Sequence, residues 1–222
     1  MTFPTMLMTM ASGMLRTILL FILTLLGSIP FGMLVVACKK SKFKPLAWLT
    51  EIYIAIMRGT PLMLQLLVWY FGPAYLFGWK VGKFSLFGLE YRFIALLIGF
   101  VLNYAAYFAE IYRSGIDSMP VGQYEAAEIL GYIKAQTFFG IILPQVVKRV
   151  LPAVTNEVIT LVKDTSLASI LTYEEVFSLA KQISASQTSF LPFVVAGVFY
   201  FIANYVVAWI MKALEKSMQY YK

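Results

Sequence analysis

The stretch from Thr17 to Cys38 contains no charged side chain, and about 20 consecutive apolar residues are enough to cross a bilayer as a helix. Four more predominantly apolar blocks follow, at about 62–77, 91–112, 142–163 and 190–210. That repetition restricts the fold more than any other feature. Only 13% of the residues are charged and 60% are hydrophobic, where a soluble domain carries about 25% charged residues. The sequence predicts an integral membrane protein, all-α, with five transmembrane helices. Arg16 ahead of the first block could imitate a secretory leader. The block is too long for a leader core, and no small-x-small cleavage pattern precedes Lys39. It reads as a retained first span over roughly Leu15 to Cys38, with Gly27, Pro30 and Gly32 predicting a kink against a neighbouring helix.

The net charge of +7 raises nucleic acid as a partner, but the positions of the charges exclude it. They gather at the ends of apolar blocks, as topology signals on the cytoplasmic face do. Lys39, Lys40, Lys42 and Lys44 form one compact basic loop. Twelve of the 18 Lys and Arg residues fall on segments assigned to the inside. Arg16, Lys80, Lys83, Arg92, Lys163 and Lys181 fall outside or face outward. The N-terminus is therefore expected outside and the C-terminus, with Lys212, Lys216 and Lys222, inside. A single cysteine, Cys38, excludes an internal disulfide and a cysteine-based zinc site. Histidine is absent, which removes the commonest metal ligand and general base. No metal, cofactor or catalytic residue is expected. Without repeats, linkers or low-complexity tracts, residues 1–222 read as one domain.

Between the spans, Pro45 to Met57 leads to Arg58-Gly59-Thr60-Pro61, where Pro61 disfavours helical geometry at Thr60 and removes a donor. A break is expected there, at or near the inner membrane surface. Gly72-Pro73 loosens the next rise, and Trp69, Tyr70, Tyr75 and Trp79 suit the outer interface. Gly78, Gly82 and Gly88 mark an external loop. Lys163-Asp164 is expected at the outer end of the fourth span. Thr172-Tyr173-Glu174-Glu175 has capping-box spacing and should open a short external amphipathic helix.

One helical passage does not read as a span: Glu125-Ala126-Ala127-Glu128-Ile129-Leu130-Gly131, introduced by Pro120 and continued to Ile141-Ile142-Leu143-Pro144. Glu125 and Glu128 lie one turn apart on one side. Ala126 and Ala127 favour helix with little bulk, and Gly131 lets another surface approach closely or ends the helix. Glu125, Ala126, Ala127, Gly131, Ile141, Leu143 and Pro144 stand at the spacing of the EAA motif, so the chain resembles the permease subunits of bacterial ABC importers. Arg58-Gly59-Thr60-Pro61-Leu62, Asn156-Glu157-Val158-Ile159 and Lys163-Asp164-Thr165-Ser166-Leu167 are similar to the polar amino acid branch, the histidine, glutamine, arginine and cystine type. The resemblance runs from about residue 10 to the C-terminus.

The resemblance implies a multi-pass protein of the bacterial cell (inner) membrane with the type I ABC importer transmembrane fold. It implies a cytoplasmic coupling helix between spans 3 and 4, in which Glu125, Ala126, Ala127, Glu128 and Gly131 meet an ATPase subunit. It also implies two such ATPase subunits, a second permease copy or paralogue, an extracytoplasmic substrate-binding protein and an amino acid substrate, all in a setting of membrane lipid. Taken without the resemblance, the same passage is equally a connector packed on its own bundle.

Polar side chains inside spans are costly and are candidates for function. Asn103, Tyr107 and Glu110 share one face of the third span, and Glu157, Thr160 and Asp164 share a face of the fourth. Asn103 and Glu157, with Tyr107 and Thr160 beside them, are candidates to line a central path, where a carboxylate suits an amino group. The competing reading has Asn156 and Glu157 merely bonding across helices. For Glu110 a local ion pair with Arg113 is expected. The chain lacks G-x-x-x-x-G-K-[ST], so it does not itself cradle ATP phosphates. Two other classes stand against the importer. An ion-coupled secondary transporter or channel often shows matched halves, and none occur here. A membrane enzyme would need acid–base or metal residues that the chain lacks.

Overall fold

The structure, a computed structural model, describes residues 2–78, 85–86 and 89–218. Helix α1 runs unbroken from Phe3 to Lys39. It begins well before the expected Leu15, and Pro30 does not interrupt it. Its glycines serve close packing instead of a break. A Cβ on Gly27 would lie 2.8 Å from Val101 Cγ2, and one on Gly32 would lie 2.9 Å from Phe108 Cβ. Both neighbours belong to α4 (Tyr91–Asp117), with which α1 makes the most extensive helix pairing. Small residues drive such pairs in lipid, where hydrophobicity alone gives helices no reason to associate. The N-terminal turns of α1 bury Met6 and Met10 against α8 (Val176–Gln187) and α9 (Leu191–Ser217).

Helices α2 (Lys44–Gly59) and α3 (Leu62–Phe77) meet at a bend of 112°. Four helical segments of the described residues are individually long and apolar enough to span, and the α2–α3 pair makes a fifth. The count agrees with the sequence, and a break falls where Pro61 predicts it. The Met57 carbonyl accepts from Asn103 Nδ2 at 2.9 Å. Asn103 lies a dozen residues into α4, about 18 Å along it from Tyr91, so the break is met inside the bundle, while Arg58 beside it reaches Glu110, which pairs with Lys39. Gln65 Nε2 donates to the carbonyls of Met57 and Thr60 at 2.9 and 3.1 Å, and Asn103 Nδ2 also donates to Gln65 Oε1 at 3.0 Å. Side chains that satisfy the freed backbone are what permit a broken helix inside a bundle. Pro73 sits inside α3 without ending it.

Past α4, Pro120 caps α5 (Val121–Ile129) one residue ahead of the helix. A single turn, α6 (Lys134–Gln136), and a π-helical turn (Thr137–Ile142) lead into α7 (Leu143–Asp164). The Leu143 N–H reaches back five residues to Phe138. Pro144 follows, and its ring crowds the Gly140 carbonyl four residues before it, which accounts for the wider turn. Helix α7 ends at Asp164 as predicted. Asp164 accepts from the Tyr104 hydroxyl at 2.7 Å, and Tyr104 neighbours Asn103. A 3-10 helix (Thr165–Leu171) carries the chain on to Thr172, whose carbonyl accepts from Arg92 at 3.0 Å.

Thr172 does not open a capping box. It ends the 3-10 helix in a left-handed conformation, φ 55°. Glu175 caps α8 in its place, accepting from the N–H groups of Phe177 and Ser178, both at 2.6 Å, and from the Tyr200 hydroxyl at 2.7 Å. Among the described residues the regular structure is helical apart from one short pairing, β1 (Ser85–Leu86) with β2 (Leu89–Glu90). Trp79, Lys80, Gly82, Lys83, Gly88 and Lys222, used in the outer-loop and charge readings, lie outside the described residues. The main core gathers Leu66, Phe100, Tyr104, Phe108 and Leu161 from α3, α4 and α7 with Leu20 of α1.

A Gly32→Val substitution forces α1 away from Phe108 and should cost about 1–3 kcal/mol. Thermal unfolding in detergent should show a lowered midpoint. Gly122→Ala, where nothing lies within 4 Å of the added carbon, should leave it unchanged.

Candidate functional site

Two surfaces gather the chemistry of this chain, and the first is α5. Ala127 is buried at 1% exposure and seats the helix on the bundle, while Glu125, Ala126 and Glu128 are exposed. Gly131 takes φ 78°. The Tyr132 N–H bonds to the Ala127 carbonyl and the Gly131 N–H to the Glu128 carbonyl, each at 3.0 Å, a helix ending that suits glycine in the left-handed region. Of the two roles open to Gly131, the chain itself uses it to end the helix. No atom lies within 4 Å of where its Cβ would be.

The residues flanking Gly131 were not legible as a surface in the sequence. Ile129 is 86% and Leu130 72% exposed, with Tyr132, Ile133 and Phe139 also exposed. Tyr132 and Ile133 line a hollow of about 610 Å³ with Tyr124, Glu128, Lys134 and Phe138. Exposed apolar side chains gathered beside charge mark a protein contact. The signal available in the sequence was the pairing of Ile129-Leu130 with Tyr132-Ile133 around a glycine, outside any span.

The second surface is a cleft of about 450 Å³ between α4 and α7, reached by Arg58 from the end of α2. Tyr107 and Glu157 line it together, with Glu110, Arg113 and Arg149. The Arg58 guanidinium lies over the Tyr107 ring, 5.3 Å from its centroid. Asn103 and Thr160 are not among the lining residues. Asn103 is 4% exposed and its amide nitrogen is committed to Met57 and Gln65. Thr160 is half-buried. Neither Asn156 nor Glu157 hydrogen-bonds another described residue through its side chain, and Asn156 is exposed.

Along α7 the exposed positions include Gln145, Arg149, Asn156 and Lys163, which recur with helical period on one side. A polar stripe this long is costly against hydrocarbon and belongs against water or another polypeptide. Sequence reasoning missed Arg58 as a cleft residue. Lys163 is exposed in the last turn of α7.

On the wall of the cleft the expected Glu110–Arg113 pair is present at 2.9 Å, and it belongs to a larger cluster. Glu110 also takes Lys39 Nζ at 2.6 Å and has Arg58 at 3.8 Å. Asp117 pairs with Lys40 and with Arg113, the latter at 2.9 Å. One carboxylate, its side chain 15% exposed, thus ties together the neighbouring ends of α1, α2 and α4.

Residues 28–220 match the family described as the binding-protein-dependent transport system inner membrane component. The chain is similar to the arginine transport system permease protein ArtQ of Bacillus subtilis, with 32% identity over 93% of this chain and 91% of the relative. It is similar to a putative glutamine transport system permease protein, GlnP, of Rickettsia conorii at 35% identity, again over 93% of this chain and 91% of the relative. Among solved structures, an amino acid ABC transporter crystallised with histidines superposes with a TM-score of 0.85 at 29% identity, covering 98% of this chain and 99% of that one. A methionine ABC transporter, MetNI, in an inward-facing form shares the fold, with a TM-score of 0.72 at 16% identity over 99% and 100%.

Replacing Asn103 with Leu leaves the Met57 carbonyl and the Gln65 amide short of a partner inside the bundle. This should cost about 1–3 kcal/mol and lower the unfolding midpoint. Asn156→Leu, at an exposed position without such bonds, should not do so within the isolated subunit.

Proposed function

Because the chain belongs to the family of inner membrane components of binding-protein-dependent transport systems, we infer that it is the permease subunit of an ATP-driven amino acid importer. The observation that carries this reading is α5: a short helix seated through Ala127, with Glu125, Ala126 and Glu128 turned outward and closed by Gly131. A cytoplasmic ATPase subunit docks there. The carboxylates meet basic groups of that partner, and the apolar residues beyond Gly131 fill its groove. Closure of the ATPase then pushes α5, and the push passes through the π-helical turn into α7.

The amino acid class is supported by the relatives, which are named for arginine and glutamine transport, and by the solved amino acid transporter. The path runs along the cleft between α4 and α7. Glu157 and Arg58 stand on the same cleft and offer opposite charges to the ammonium and carboxylate of an amino acid, with Tyr107 between them in contact with Arg58. Asn103 and Thr160 shape that path from behind its lining. The polar stripe of α7 is covered by a second copy or a paralogue, so that two subunits enclose the route. An extracytoplasmic binding protein delivers substrate at the other face, and the chain sits with its N-terminus outside and C-terminus inside.

Two measurements test this. A tagged native chain in mild detergent should co-purify with an ATPase subunit, and the Glu125→Lys/Gly131→Trp variant, while still folded, should lose it. Failure of the native chain to retain an ATPase overturns the reading. In reconstituted complexes, Glu157→Gln should reduce substrate-stimulated ATPase activity by tenfold or more, the equivalent of about 1.4 kcal/mol, or change its selectivity among amino acids. An unchanged profile removes Glu157 as a substrate contact.

A further inference from the structure

A second concavity, away from the cleft, faces outward between α1, α2, α3 and α4. Its volume is about 440 Å³, and its walls include Phe31, Leu34, Val35, Leu49 and Leu102. Its two hydroxyl-bearing residues are already satisfied within the protein. The Thr50 hydroxyl donates to the Leu46 carbonyl at 2.7 Å and the Tyr53 hydroxyl to the Leu102 carbonyl at 2.5 Å. The other polar groups of the lining are the Trp69 indole N–H and the Cys38 thiol; the remaining walls are apolar and suit a hydrocarbon chain.

The inner end of the groove reaches Cys38, next to the basic loop. Of the four lysines there, Lys39 and Lys40 are paired with Glu110 and Asp117. Lys42 and Lys44 have no carboxylate within ion-pair distance among the described residues and are exposed. Glu51, also exposed, lies two turns along α2 from Lys44 and is not part of the lining. An apolar slot that reaches Cys38, four residues along the chain from Lys42 and six from Lys44, matches a ligand with a hydrocarbon chain and an anionic head. Basic segments at the cytoplasmic end of spans attract anionic lipid by about 1 kcal/mol per Lys or Arg.

We propose that this groove is a binding site for one acyl chain of an anionic phospholipid of the inner leaflet, its phosphate held by Lys42 and Lys44. The site rests on the inside placement of the Lys39–Lys44 loop, which the charge distribution supports, and on nothing else about transport. Lipid seated there braces α2 against α1, next to the broken α2–α3 span.

The test uses the assembled complex purified in detergent, with phosphatidylglycerol or phosphatidylcholine added over a concentration series. A ligand that binds the folded state raises the unfolding midpoint with concentration. The native complex should be raised further by phosphatidylglycerol than by phosphatidylcholine. Lys42→Gln/Lys44→Gln, which alters only exposed side chains, should lose that excess. Leu34→Trp, which fills the groove and leaves the lysines, should lower the phosphatidylglycerol retained in native mass spectra by twofold or more. Equal effects of the two lipids on the native complex, or an excess that survives in the lysine variant, overturn the proposal. So does a Leu34→Trp variant that retains its lipid but releases its partner subunit, which would make the groove a subunit interface. Labelling a cysteine placed at Lys42 from either side of oriented vesicles separates the two readings. Labelling from outside removes the topology, whereas labelling from inside without a lipid effect removes only the lipid site.

Discussion

The fold depends on meeting the backbone carbonyls that a break exposes inside a low-dielectric bundle. An unsatisfied carbonyl in hydrocarbon costs several kcal/mol, and the turn at Gly59–Pro61 frees those of Met57 and Thr60. Gln65 from the start of α3 and Asn103 from α4 answer them together, and they also bond to each other. The exchange fixes the position of α2 relative to α4. It thereby sets where Arg58 emerges and gives the cleft its cationic wall. Asn103 influences the cleft from behind it, through backbone geometry.

Close approach of helices is the second condition. Gly27 and Gly32 let α1 lie on α4, and Gly115 does the same for α4 on α7, since a Cβ there would lie 2.2 Å from Val150 Cγ1. Packing at that distance gains dispersion contacts that lipid tails cannot match in number. The Glu110 cluster then closes the bundle at one end, with cations from three helices around a single, mostly buried carboxylate. A carboxylate so placed is tolerated because charge and hydrogen bonds compensate its loss of water.

The two candidate surfaces meet at α7. Its base carries the π-helical turn that contacts α5, and its length carries Glu157, Lys163 and the polar stripe. In the proposed coupling, a push on α5 reaches α7 through the single turn α6 and the π-helical turn. The apolar groove between α1 and α2 includes Met57, and the cleft includes its neighbour Arg58, so the proposed lipid and the proposed path both touch the end of α2.

Much of this was legible in the residues. Apolar run length set the spans, because a helix must match the bilayer. Pro61 announced a break, the EAA spacing announced α5, and Glu110–Arg113 announced a pair one turn apart. These are local properties, carried by neighbours in the chain. The partners that meet the break were not local: Asn103 is 46 residues from the carbonyl it bonds. The same holds for Asp164, which accepts from Tyr104, 60 residues away. Thr172 had the composition of a cap, but the preceding 3-10 helix claimed it and Glu175 took the role. The sequence by itself determined the class, the apolar runs that make the spans and the short helix α5, since hydropathy and helical periodicity are written in consecutive residues. Only the tertiary structure decided which polar groups face the cleft and which are spent on the backbone, because a hydrogen bond is assigned by proximity in space.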